Sequence, residues 1–233
     1  MYSRTYLLRY SDLDNKSKVR ISTIIDLLQD VSISHSTYVG YGLKRLQDMS
    51  LAILLRGWRI KVLDQINHEK EVIATTGISK VQRCEVTRRY SIIQDNEEMV
   101  KATASWFFYD SSKGEIIRAP QSVNESFESL DEPDNGMPIK RICREEDMSL
   151  VAVCPVQRHN LDTNNHMNNV KSVELALDYM PEKFDASEYN VLYHKELKSD
   201  DTINVYIKTY QDKVVIELRN QADEVCVLVE CVK

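Results

Sequence analysis

The sequence predicts an α+β protein made of two tandem units, each with one long helix followed by an antiparallel sheet. Three observations predict it. Apolar residues at three-and-four spacing mark one long helix in each half. Strand-like runs separated by short turns follow each helix. The second half then repeats the order of the first, which points to duplication of one unit. At 233 residues the chain is long enough for one large domain or two small ones, since domains usually hold about 100 to 200 residues.

In chain order, a short strand-like opening precedes ISTIIDLLQDVSISHSTYVGYG. Here Ile21, Ile24, Ile25, Leu28 and Val31 fall on one helical face, and Gly40 and Gly42 end the helix. SLAILLRGWRIKVL, EKEVIATTGISKV, EVTRRYSIIQ and EMVKATASWFFYD then read as strands, the last two joined by the turn QDNEE. From Arg118 to Pro138 the texture changes to RAPQSVNESFESLDEPDNGMP, which holds three of the five prolines and the turn-prone Asp134-Asn135-Gly136. The predicted organisation is a first unit over 1–118, a linker over 119–147 and a second unit over 148–233. In the second unit NVKSVELALDYMP places Val170, Val173, Leu177 and Met180 on one helical face, and Pro181 stops it. YNVLYHKELK, DTINVYIKTY, KVVIELRN and EVCVLVECVK read as strands, with Ile203, Val205 and Ile207 in clean alternation.

Composition narrows the function classes. Hydrophobic residues make up 42% and charged residues 28%, ordinary for a soluble globular protein with a real core. A net charge of -6 argues against a broad nucleic-acid surface, which wants a basic domain. Cys84, Cys143, Cys154, Cys226 and Cys231 form no CxxC pair and are odd in number, so reduced thiols in a cytosol are expected. The start, MYSRTYLLRYSDLD, shows neither a signal nor a transit peptide. No apolar stretch reaches the roughly 18 residues of a membrane span, so a cytoplasmic protein without membrane insertion is expected.

The duplication can be followed residue by residue. YSDLDNKSKVRISTIIDLL set beneath HNLDTNNHMNNVKSVELAL matches Leu13 with Leu161, Asp14 with Asp162 and Leu27 with Leu175. In the same register Asn164 and His166 face Lys16 and Lys18, so only the second copy carries a full polar set. Asp162, Asn164 and His166 occupy every second position, which in an extended segment would point all three side chains one way. Backbone amides at the start of the next helix, near Asn169 or Val170, would hold an anion or a developing oxyanion.

Plainer readings exist for the same residues. Asn168 or Asn169 caps a helix and the rest is a solvated turn, roles that asparagine favours. A calcium loop counted from Asp162 puts Met167 where glycine is wanted and Val173 where glutamate is wanted; the loop counted from Asp12 fails likewise. His159 and His166 as metal ligands lack further ligands at suitable spacing. No GxSxG occurs, and VGYGLKR has two glycines, after a helix, where dinucleotide binding asks for three after a strand.

LDTNNHMNNVKSVELALDYMP closely resembles the D-x-N-x-H-V-N-N signature of acyl-acyl carrier protein thioesterases of the plant and bacterial type, and YHKEL, Tyr193 to Leu197, resembles that family's Y-R-R-E-C segment. The order of elements is similar along nearly the whole chain. The resemblance implies a double hotdog, two units each with a long helix wrapped by an antiparallel sheet. It implies hydrolysis of a fatty acyl thioester on acyl carrier protein, ending chain elongation, with no metal or organic cofactor. Asp162, Asn164 and His166 match the family's catalytic residues, and Glu196 matches the glutamate of the second segment. The family's cysteine beside that glutamate is Leu197 here, which leaves water attack or a transient carboxylate nucleophile.

Chemistry supports such a set independently, since a thioester needs a positioned water, a group to take its proton and donors for the oxyanion. His166 and Glu196 are assigned to orienting and deprotonating water, with the division between them open. Asn164 would hold the water or the carbonyl, and Asp162 would orient its neighbours. The resemblance also places an acyl slot in the first unit, with Ile25, Leu28 and Trp58 as candidate lining or plain core, and an acidic carrier docking on a basic patch such as Lys140, Arg141 and Arg144. Two rivals stand beside this reading: a hotdog acyl-coenzyme A thioesterase, and a non-catalytic acyl-binding regulator, for whose DNA-binding helix pair there is no room before Tyr10. A paired-hotdog chain already contains a pseudo-dimer, so both monomer and homodimer are open.

Overall fold

The computed structural model describes residues 1–127 and 137–233. The chain divides into two compact units, Met1–Arg56 with Ile60–Ile139, and Gly57–Arg59 with Lys140–Lys233. The α+β class and the hotdog plan expected from the sequence are what the structure shows.

The first unit contains β1 (Tyr2–Tyr6), α1 (Ile21–Tyr38), α2 (Leu43–Asp48), β2 (Leu51–Val62), β3 (Val72–Gln82), β4 (Glu85–Gln94), β5 (Glu97–Asp110), β6 (Glu115–Ile117) and α3 (Gln121–Ser126). Its strands lie in the order β1-β3-β4-β5-β2, with β6 on β5. Helix α1 packs on β1, β3 and β4 through Ile24, Ile25, Leu28 and Val31, all at most 2% exposed. Each such side chain stabilises the fold by about 1.5 to 3 kcal/mol on burial. Strand β4 alternates without a break, Val86, Arg88, Tyr90, Ile92 and Gln94 facing inward.

The end of α1 is sharper than its sequence suggests. Tyr41 N donates to Ser36 O and Gly40 N to Thr37 O, while Gly40 takes φ +88°. That paired closure satisfies the last carbonyls and wants a residue without a Cβ at the left-handed position. The QDNEE turn is a two-residue hairpin with Asp95 at φ 52° and Asn96 at φ 66°, the doubly left-handed turn that matches strand twist.

The second unit holds β7 (Ser149–Pro155), α4 (Asn169–Leu177), β8 (Glu188–Tyr193), β9 (Thr202–Thr209), β10 (Lys213–Arg219) and β11 (Val225–Val232), in the strand order β8-β11-β10-β9-β7. Counted from its edge strand, β7-β9-β10-β11-β8 reproduces β1-β3-β4-β5-β2, so the duplication read from the sequence extends to strand order.

The stretch expected as a linker is not featureless. Residues 121–126 form α3, and Val123 and Phe127 pack with Tyr41, Leu46, Ile78, Val86 and Phe108 in the core of the first unit. On the far side Ile142 packs with Val215 and Leu228, Glu145 bonds Lys213 and Tyr210, and Lys140 and Arg144 pair with Glu188 and Glu217. Residues 140–145 thus strap the second sheet, which is why Val214 to Leu218 are buried on both faces. Asp134-Asn135-Gly136 lies outside the described residues.

Two titrating groups report on the two units. Burial, and then the Arg88 guanidinium, push His35 down to about 4. Burial alone would raise Glu188, but bonds from Lys140, Arg59 and Asn190 outweigh it and hold its carboxyl at about 2. An unfolded histidine takes its proton near pH 6.5, so the native chain binds fewer protons between pH 6.5 and 4 and its stability falls as pH falls through that window. Glu188's contribution is complete above pH 4.5 and is lost as pH falls toward 2. Denaturant unfolding at pH 7, 5 and 3 checks this: His35→Gln, which keeps an acceptor for Arg88 but does not titrate, should flatten the upper window and leave the lower one unchanged.

Candidate active site

The polar run sits in a tight loop. Asp162 N donates to His166 O at 2.8 Å, Leu161 and Met167 form an isolated bridge, and Asn165 is left-handed at φ 62°. The Asp162 carboxylate turns inward: Oδ1 accepts from the amides of Asn164 at 2.8 Å and His166 at 3.1 Å, and Oδ2 accepts from Asn164 Nδ2 at 3.4 Å. The segment is therefore a turn and not the extended run in which alternate side chains share a face. Asp162 is occupied with the loop's own backbone.

Three further contacts fix the loop. Asn168 N donates to Asn160 O and Met167 N to Leu197 O, each at 2.7 Å, and His166 bridges Lys198. Asn168 Oδ1 accepts from Val170 N at 2.8 Å, capping α4 where the sequence expects it, a contribution of about 1 kcal/mol. Tyr193, whose hydroxyl burial pushes up from its ordinary value, donates to Asn169 O at 3.2 Å and ties β8 to the helix start.

Strand β8 stops at Tyr193, so His194 to Leu197 is loop where the sequence reading extended the strand. Leu197, in the place of the family cysteine, is 3% exposed, and its carbonyl holds Met167. That anchorage delivers Glu196: its Oε2 lies 3.2 Å from His166 Nε2, with side-chain exposures of 55% and 30%. His166 and Glu196 are thus brought together across 29 intervening residues, Asn164 is exposed on the same loop, and Asp162 organises it. His159 lies in the 3-10 turn Arg158–Asn160. Among the described residues no three His, Cys, Asp or Glu side chains gather as a metal-binding group.

The first unit holds the same loop without its chemistry. Asp14 N donates to Lys18 O, Asp14 Oδ1 accepts from the amides of Lys16 and Lys18, all at 2.8 Å, and Ser17 is left-handed at φ 60°. Leu13 and Val19 bridge as Leu161 and Met167 do. The aspartate belongs to the duplicated scaffold; asparagine and histidine at the next two alternate positions belong to one copy. Sequence reasoning missed the pins from Asn160 and Leu197, because backbone acceptors leave no side-chain signature. Ile25, Leu28 and Trp58, candidates for lining an acyl slot, are all fully buried.

Residues 1–127 match the family model of the acyl-ACP thioesterase N-terminal domain, and residues 144–230 match that of the C-terminal domain. The chain belongs to the acyl-ACP thioesterase family. It is 23% identical over 227 residues to the chloroplastic oleoyl-acyl carrier protein thioesterase 2 of Arabidopsis thaliana, covering 87% of this chain and 61% of that relative, so it spans about three fifths of the curated relatives' length. The acyl-ACP thioesterase of Bacteroides thetaiotaomicron superposes with a TM-score of 0.87 at 17% identity, covering 99% of this chain and 96% of that one. The 12:0-ACP thioesterase of Umbellularia californica superposes at 0.85 with 15% identity, covering 99% and 96%. These structural likenesses carry the fold.

If Asp162 acts by accepting amides, Asp162→Asn, which keeps an accepting oxygen, should hold any turnover of an acyl thioester within about tenfold, while Asp162→Ala should lose about 10² or more. Steady-state hydrolysis of an acyl thioester checks it, with Asp14→Ala as the internal control that lowers stability and spares turnover. Equal losses for Asn and Ala at position 162 would give that carboxylate a role in the reaction itself.

Proposed function

We propose that the chain hydrolyses the thioester of a fatty acyl-acyl carrier protein to a free fatty acid and the carrier, ending chain elongation, with Asp162, Asn164, His166 and Glu196 as its site. The observation that carries this reading is the 3.2 Å approach of His166 Nε2 to Glu196 Oε2 beside the loop that opens α4. A carboxylate at Nε2 favours the tautomer with its proton there, which leaves the Nδ1 lone pair to take a proton from water. Histidine suits that transfer near neutral pH, and a positioned base contributes about 10² to 10⁴ in rate.

Oxyanion donors are limited by the loop itself. The amides of Asn164, Asn165, His166, Met167, Asn168 and Val170 already donate within the site. Asn164 Nδ2 bonds Asp162 only at 3.4 Å and has a second N–H to give. The amide of Val170 is thus taken, and we assign the oxyanion to the Asn164 side chain, with the Asn169 amide as the helix-start donor still open among the described residues. The water attacks the thioester carbon, the tetrahedral oxygen is held by Asn164, and collapse expels the carrier's thiolate, which takes up a proton as His166 gives it back.

A coenzyme A carrier is the second reading, because the engagement of Lys140 and Arg144 with Glu188 and Glu217 leaves only Arg141 of the basic patch expected to dock a carrier protein; coenzyme A, itself polyanionic, would draw on cations elsewhere. Free fatty acid release from the same acyl chain on the two carriers separates the readings, with a higher kcat/KM on acyl carrier protein expected.

In that assay His166→Ala and Glu196→Gln should each lose about 10² or more, and the double variant should lose little beyond either alone, because residues acting as one unit are not additive. Asn164→Ala should lose about 10² to 10³. Lys16→Ala and Lys18→Ala should leave turnover unchanged. Wild-type turnover in folded His166→Ala and Glu196→Gln would sink the assignment.

A further inference from the structure

Inside the first unit Arg88 is only 5% exposed, on the β4 face that also carries Val86, Tyr90 and Ile92. Its Nη1 donates to His35 Nδ1 at 3.1 Å, and its guanidinium lies 5.0 Å from the centre of the Phe127 ring. Because a guanidinium only donates, His35 Nδ1 is the accepting nitrogen and His35 is neutral, as its pKa near 4 requires. Tyr90 stands next along the strand, its hydroxyl donating to Ser32 Oγ and accepting from Trp106 Nε1, each at 3.2 Å. Across from them α1 presents Ser32, His35 and Ser36, and Tyr2 stacks on His35. Ile78 and Ala104 flank Arg88 on the neighbouring strands.

Among the described residues no carboxylate pairs with this cation; its neighbours are a neutral imidazole, a phenyl ring and Tyr90. Burial lowers its pKa from the ordinary value, and an ion taken from water costs several kcal/mol unless it is paired. The last turn of α1, where His35 sits, offers the negative end of a helix dipole. One hydrogen bond, a ring face and a helix end do not replace a counter-ion.

We propose that Arg88 anchors a carboxylate-binding site inside the first unit, and that its ligand is a carboxylate on an aliphatic tail. Charge and shape select that class. A guanidinium takes a planar carboxylate through two parallel N–H···O bonds, and among the described residues only Nη1 of Arg88 has a hydrogen-bond partner, which leaves Nε and Nη2 for such a group. A phosphate dianion would bring a second charge into a site whose titrating neighbours, His35 and Tyr90, are held neutral at pH 7 by burial. An aliphatic tail would enter by parting the apolar packing of Phe127, Ile78 and Val86 beside it. The ligand has two sources: a free fatty acid, or the far end of an acyl chain carrying an ω-carboxylate. The second source rests on the hydrolase reading above.

Calorimetric titration of the full chain with dodecanoate and with dodecanol, both below micelle-forming concentrations, tests the site. One equivalent of dodecanoate should bind at least about tenfold more tightly than dodecanol, a difference of about 1.4 kcal/mol, and Arg88→Met should abolish the difference. Equal affinity for the two ligands, or an Arg88→Met chain that still prefers dodecanoate, overturns the proposal. Replacing a buried arginine risks unfolding, so a second measurement uses the unaltered chain: the 13C carboxyl signal of bound dodecanoate should stay ionised to a lower pH than that of the free acid. Protonation at the same or a higher pH than in solution overturns the proposal as well.

Turnover of an ω-carboxyl acyl-carrier thioester against its methyl-ended counterpart distinguishes the sources. A preference for the ω-carboxyl substrate that Arg88→Met removes assigns the site to the substrate's far end, and equal turnover with dodecanoate binding retained assigns it to free fatty acid. The binding measurements need no hydrolysis, so their failure and the failure of the hydrolase reading are separate results.

Discussion

One carboxylate accepting two backbone amides is the interaction on which the site depends. Asp162 closes a seven-residue loop by taking the amides of Asn164 and His166, and the loop then opens directly into α4. The amide-to-carboxylate bonds are charge-assisted and so stronger than neutral ones. They convert a run of polar residues, which would otherwise wander in solvent, into a fixed platform. Asp14 performs the same closure in the first unit, where lysines stand in place of the asparagine and histidine. The two copies share this closure and differ in the two side chains displayed on it.

The platform would carry little without its partner loop. Glu196 follows the end of β8, and the Met167 to Leu197 backbone bond sets how near it comes to His166. Leu197 contributes a buried side chain and a carbonyl where the family signature has a cysteine, so that position works here as an anchor. The two units also divide their interiors differently. The first buries Arg88, His35 and Tyr90 beneath α1, whereas the second buries a mostly apolar α4 face of Val170, Val173 and Ala176 and keeps its buried polar groups, Asn190 and Glu217, on strands β8 and β10.

Much of the fold was legible because periodicity survives where one face is buried. Strand β4 alternates for ten residues, α1 shows its apolar stripe, and the duplication of Leu13-Asp14 in Leu161-Asp162 reaches to strand order. Strand β7 was not legible: it is an edge strand whose Leu150, Val151 and Val153 are exposed on both faces, so burial imposes no alternation. The strap over 140–145 was hidden because its single buried Ile142 lies among charged residues that read as linker, while the partners that hold those charges, Glu188, Glu217 and Lys213, are far off in sequence. At the site the residue types and the α4 cap were legible. The backbone course was not, since spacing of two suits a strand and a turn alike, and only the Asp162 hydrogen bonds decide between them.

The tautomer of His166 tests the central geometry most directly. Nitrogen-15 spectra of the histidine rings at pH 8, assigned through a His166→Gln variant, report which ring nitrogen carries the proton. A carboxylate held at 3.2 Å from Nε2 predicts the Nε2–H form with Nδ1 unprotonated, and Glu196→Gln should disturb it. A dominant Nδ1–H form, or a His166 signal indifferent to Glu196, would contradict the pairing on which the account of this site stands.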